Sequence, residues 1–227
     1  MIALKSLGII LLVFIHINDS LKLNMKSMNR IKELKNDLFF LTSKTISTNG
    51  IDASIEQRDD INKCVENLKK LNPTKRPAYA SSLLKGKWRL TYTDISIAPS
   101  NGKIGPFIGK VYQDLCPATS KITKDGYVKN ILDLSLINGE LCAIQSIYDD
   151  NTWRIDFDYV ENKLLGIPFQ KKEFPAIGEE GSQTRLWKLI YLDEDLRILR
   201  AGILPNNSNP KSKNEQQEDF LFITIKE

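Results

Sequence analysis

Side chains able to do acid–base or nucleophilic chemistry are thinly spread in this chain. His16 is the only histidine among 227 residues and lies in an apolar N-terminal run. Once that run is removed, no imidazole remains for a Ser-His-Asp or Cys-His arrangement. Cys64, Cys116 and Cys142 are widely separated and form no CxxC pair. That spacing argues against a zinc site and for thiols serving as small apolar fillers. The best carboxylate pair is Asp156 and Asp158, which share one face of an extended segment with Arg154. Two carboxylates so placed suit an acid and a base, but beside an arginine they read more simply as a solvated charged face. An enzyme working on a lipid or pigment inside a barrel would have to start from Asp156, Tyr92 or Tyr112, with a buried polar group of shifted pKa. The expectation is a protein without catalysis, resident metal or cofactor.

The residues that stand out are aromatic, and their spacing is that of strands. Gly86-Lys87-Trp88-Arg89-Leu90-Thr91-Tyr92-Thr93 alternates after a Gly-x-Trp, which places Trp88, Leu90 and Tyr92 on one face. Thr152 to Tyr159 alternates Trp153, Ile155, Phe157 and Tyr159 with Arg154, Asp156 and Asp158. Strands are expected at 87–93, 109–114, 127–135, 141–148, 152–159, 184–191, 196–201 and 220–226, separated by Gly, Pro, Asn and Asp. Eight short strands with close turns suit a closed antiparallel barrel. Asn138-Gly139 and Asp149-Asp150-Asn151 are read as its tight turns. Residues 98–107, with two prolines and two glycines, read as a connection across a barrel mouth, and 205–219 as a disordered polar loop.

Two helices precede the sheet. Ile31, Leu34, Leu38 and Leu41 form one amphipathic stripe, and Ile61, Val65 and Leu68 form another that opens with a capping box from Ser54 to Gln57. Asn72-Pro73 stops the second helix. The expected organisation is a signal-peptide-like leader at 1–20, an acid-poor basic segment of transit-peptide composition at 21–30, a helical segment at 31–77 and the barrel at 78–227. Such a leader suits a plastid reached through the secretory route. Lysine and arginine number 32 against 28 aspartate and glutamate. That mild excess, without a dense cluster, excludes a nucleic-acid partner from the expectation.

Four pieces in this order resemble one family, the plastid lipid-associated proteins or fibrillins (plastoglobulins). They are Asn49-Gly50-Ile51-Asp52-Ala53 with Arg58-Asp59-Asp60-Ile61, then Leu68 to Pro73, then Leu84 to Thr93, and finally Trp187 to Arg200. The resemblance implies a mainly β, lipocalin-like antiparallel barrel of about eight strands behind two helices. It also implies binding or sequestration of prenylquinones, carotenoids or acyl lipids at plastoglobules or thylakoids. The alternative is a thylakoid-associated assembly or scaffolding factor whose barrel is filled. After Arg200 the chain departs from the family pattern, because a long polar segment precedes Phe220.

Candidate ligand contacts are Trp88, Tyr92, Trp153, Phe157 and Trp187 as walls, with Arg197 and Arg200 as polar groups. In lipocalin-like barrels a late-strand arginine stacks on the Gly-x-Trp ring, so one of these two closes the barrel end and either could instead clamp a headgroup. Lys171-Lys172, Lys211 and Lys213, and the helix at 31–41, are candidates for peripheral contact with a lipid surface.

Overall fold

The computed structural model describes residues 25–96, 100–119, 126–176, 179–203 and 219–227. The leader at 1–20 and all of the polar loop but Asp219 lie outside them. Helix α1 spans residues 25–43, and so includes residues 25–30 of the segment read as transit-like. Helix α2, Ile55–Lys70, starts at the expected capping box: Ser54 Oγ accepts from Gln57 N, and Ser54 N donates to Gln57 Oε1. The apolar stripe of α1 (Leu34, Leu38) packs against that of α2 (Ile61, Val65, Leu68), so the candidate membrane helix is turned inward. A one-turn helix α3, Ser81–Leu84, leads into the sheet.

The strands are β1 Gly86–Thr93, β2 Lys103–Ile104, β3 Phe107–Ile108, β4 Lys110–Cys116, β5 Gly126–Asp133, β6 Ile137–Ile147, β7 Thr152–Leu164, β8 Ile167–Glu173, β9 Thr184–Leu192, β10 Leu196–Ile203 and β11 Phe220–Lys226. Antiparallel pairing runs β6-β5-β4-β1-β11-β10-β9-β7, and β7 returns to β6. This closes an eight-stranded barrel, which leaves none of those eight strands as a free edge along its whole length. β7 outruns the barrel: its first part, from Thr152 to Asp156, pairs with β9, and its second part, from Tyr159 to Leu164, pairs with β8. β2 and β3 form a separate small hairpin in the connection expected to cross the mouth.

Three expectations are corrected. Asn138-Gly139 lies within β6, paired to β5 and β7, and the turn falls at Leu134 to Leu136 with Ser135 at φ 72°. β8 was not expected. All seven of its residues are exposed, so it carries no in-out alternation to reveal it. Tyr92 does not share the face of Trp88 and Leu90: the β1–β11 register slips between Leu90 and Tyr92, leaving Thr91 as an extra residue. A bulge of one residue turns every later side chain to the other face. Tyr92 therefore packs with α1 and α2 outside the barrel.

The barrel thus separates two cores. An outer one joins the helices to Ile190, Tyr191, Leu196, Ile198, Leu221 and Ile223. The inner one fills the end where β1 begins, and a smaller cluster of Leu90, Val111 and Leu132 lies beyond it inside the barrel.

Candidate functional site

One end of the barrel is plugged. Trp88 and Trp153 are both fully buried, and their indole N–H groups donate to Leu84 O at 2.8 Å and Ala78 O at 3.0 Å. The short turns at 77–84 therefore lie as a cap over this end, each tied to the ring beneath it. Arg197 is fully buried with its guanidinium carbon 5.1 Å from the Trp88 ring centre, and Lys226 Nζ lies 5.3 Å from the same ring. Arg197 donates to Thr224 Oγ1 at 3.1 Å and to Gln113 Oε1. It has no carboxylate partner among the described residues, and burial lowers its pKa.

Toward the other end the interior is open. A cavity of about 270 Å³ is walled by all eight barrel strands, including Leu90, Val111, Leu132, Leu141, Phe157, Trp187, Ala201 and Phe222. Its floor is polar where Gln113 Nε2 donates to Asn130 Oδ1 at 2.8 Å, which leaves the Asn130 Nδ2 donor without a partner among the described residues. Glu140 reaches the wall but is neutralised by Lys163 at 2.7 Å and Lys129 at 3.3 Å. Burial pushes its pKa up, and those two lysines more than offset this and hold it below the ordinary value.

Arg185 is the cavity's distinctive group. β9 places it on the same face as Trp187, with its guanidinium carbon 5.4 Å from the Phe157 ring centre. It donates to Thr184 O at 2.9 Å and Gln183 Oε1 at 3.2 Å, and no carboxylate pairs with it among the described residues. Burial lowers its pKa. The residue was missed in the sequence, although its two-residue spacing from Trp187 was the signal that could have found it.

Of the seven candidate contacts, Phe157 and Trp187 line the cavity. Trp88, Trp153 and Arg197 form the plug below it. Tyr92 and Arg200 point outward, Tyr92 beneath the helices and Arg200 Nη2 donating to Asn62 Oδ1 of α2 at 3.3 Å. The choice between the two arginines follows from strand parity, since Arg197 and Arg200 are three apart and so face opposite ways.

The other chemistry-bearing residues are also accounted for. Asp156 is buried and accepts from Arg154 Nε at 2.9 and 3.1 Å and from Thr184 Oγ1 at 2.5 Å, while Asp158 is exposed. The Tyr112 ring lies under Lys87 Nζ at 4.0 Å. Cys64 is buried against Leu34 O at 3.1 Å, and burial pushes its thiol up to about 11. Cys116 and Cys142 are half-buried. Among the described residues no cluster of His, Cys, Asp and Glu could hold a metal.

A closed antiparallel barrel, plugged at one end by a tryptophan–arginine stack and open to an apolar cavity at the other, defines a lipocalin-like barrel. The PAP_fibrillin family model matches residues 32–203. The chain belongs to that family, the plastid lipid-associated proteins. The match takes in most of α1 and runs through β10, so β11 lies beyond it. No curated protein gives a match.

Proposed function

We propose that this protein is a noncatalytic carrier or store of hydrophobic plastid molecules, working at a plastoglobule or thylakoid surface and delivered there by its two-stage leader. The cavity carries this reading. Its 270 Å³ lies just under the range of about 300–1,000 Å³ common for small-molecule sites. It therefore suits the ring or chain end of a prenylquinone, carotenoid or acyl lipid, with the rest of a long tail leaving through the mouth. Phe157 and Trp187 supply aromatic wall, while Arg185 and Asn130 offer N–H donors to a head-group oxygen. The rigid plug of Trp88, Trp153 and Arg197 fixes the depth to which a ligand enters. An assembly factor with a filled barrel fits less well, because a cavity remains above the plug.

Titration of the purified chain with a short-tailed benzoquinone, followed by tryptophan fluorescence, tests the proposal. Quenching is expected to come chiefly from Trp187, so Trp187→Phe removes most of it. Val160→Phe, which narrows the mouth, weakens uptake about tenfold. A folded chain that takes up no quinone, carotenoid or acyl lipid overturns the reading.

A further inference from the structure

We propose that the open end of the barrel docks on an anionic lipid surface through the tips of three hairpins, so that the cavity mouth faces lipid. The proposal rests on the carrier reading above and adds the face that meets the membrane. Strand directions bring the β2–β3, β5–β6 and β7–β8 turns to the same end, opposite the tryptophan plug. Ile104 of the first hairpin lines the cavity, as do Val160 and Asn162 just before the third.

The tips are apolar and exposed: Phe107 is 65% exposed, Leu136 62%, and Leu165 and Ile167 each 70%, with Phe169 at 60% beside them. They form one rim. Leu165 N donates to Leu136 O at 2.8 Å, and a cleft between Phe107 and Ile137 joins the first hairpin to the second.

Turn geometry makes this apolarity costly to the fold. Leu165 (φ 53°) and Gly166 (φ 81°) occupy the two central positions between paired Leu164 and Ile167. Positive φ at both positions is the type I′ arrangement, which favours Asn or Asp at the first. A leucine there is both strained and exposed, so its side chain serves something outside the folded chain.

Charge selects the occupant. Lys103, Lys110 and Lys172 are exposed around these hairpins and pair with no carboxylate among the described residues. Basic side chains framing apolar tips match an anionic headgroup layer over hydrocarbon. A second copy docked face to face would bring the same unpaired lysines together.

Flotation of the full chain with vesicles of phosphatidylcholine, alone or doped with phosphatidylglycerol, tests the proposal. Binding is expected to require the anionic lipid. The triple variant Leu165→Asn, Ile167→Ser and Phe169→Ser should lower it about tenfold or more, and Lys103→Glu with Lys172→Glu should likewise lower binding to the phosphatidylglycerol vesicles about tenfold or more. Leu165→Asn suits the turn, so an unchanged or raised Tm excludes misfolding as the cause. Vesicle binding by the triple variant equal to the parent's overturns the proposal. So does a rim-dependent dimer, or rim-dependent binding to a protein, with no affinity for vesicles. Benzoquinone uptake measured without vesicles separates the two readings: uptake without vesicle binding sinks only the docking face, and rim-dependent vesicle binding without uptake sinks only the carrier.

Discussion

Two asparagines among the residues that carried the family resemblance, Asn49 and Asn72, fasten the molecule rather than line its cavity. Asn49 adopts φ 53° and donates from Nδ2 to Asn101 O and Gly109 O, each at 3.0 Å, so that the connection between α1 and α2 is latched to the open-end loops. Asn72 accepts from Leu192 N and donates to Ile190 O, using backbone groups beside the register slip between β9 and β10. These positions demand particular side chains, so they stand out in a sequence. A cavity wall demands only apolar bulk, and Leu132 or Ala201 look like any other core residue there. Phe157 and Trp187 were legible through alternation; Tyr92 was not, because a bulge depends on the partner strand having one residue fewer. Gly50 tests the latch. At φ 92°, a Cβ would lie 2.6 Å from Tyr92 Cδ2 and 2.8 Å from Thr93 O. Gly50→Ala is expected to cost about 2 to 3 kcal/mol, read as a lower urea midpoint at unchanged m.

At the scale of elements, six of the eight barrel strands could be bounded to within two residues from their apolar patterning and flanking turn residues. β6 was misjudged at its start: Asn138-Gly139 is a strong turn signal taken alone, but pairing with the long β7 on one side and β5 on the other holds it extended. β7 itself ran past its expected end because the β8 arm continues the ladder where the barrel no longer does. α2 shows the opposite case, local chemistry deciding the boundary unaided. Its capping box satisfies two backbone N–H groups that the helix leaves unpaired. Ser54→Ala is expected to lower stability by about 1 kcal/mol. Thermal unfolding should register it while quinone uptake stays unchanged, since α2 packs on the outside of the barrel.

At the scale of the whole molecule, the helical layer is pinned to the barrel by charge as well as by apolar packing. Lys35 of α1 bonds Asp193 at 2.8 Å and also Asp195, both in the β9–β10 turn, and Tyr191 Oη donates to Asp193 at 2.7 Å. Burial pushes the Asp193 pKa up, but hydrogen bonds involving Asp195, Lys35, Tyr191 and Leu196 N hold it below the ordinary 3.8. Its stabilisation is therefore present above that value and lost as pH falls through the lower folded one. Burial lowers the Lys35 pKa, while Asp193 and Asp195 raise it above 10.5 overall, so its contribution is present below 10.5 and lost as pH rises through the raised value. Lys35→Met is expected to cost about 1 to 2 kcal/mol between about pH 5 and pH 9. In a pH series of melting curves the gap from the parent should shrink as pH falls below 3.8 and Asp193 becomes protonated. The strand order has a consequence in time as well. β11 is inserted between β1 and β10, pairing Thr93 with Phe222 and Leu199 with the same Phe222. During synthesis or translocation the cylinder cannot close until that last strand arrives, and until then β1 and β10 each wait with an unpaired edge. The nascent chain is thus most exposed to aggregation in the interval between β10 and the arrival of β11, when a chaperone would be of greatest use.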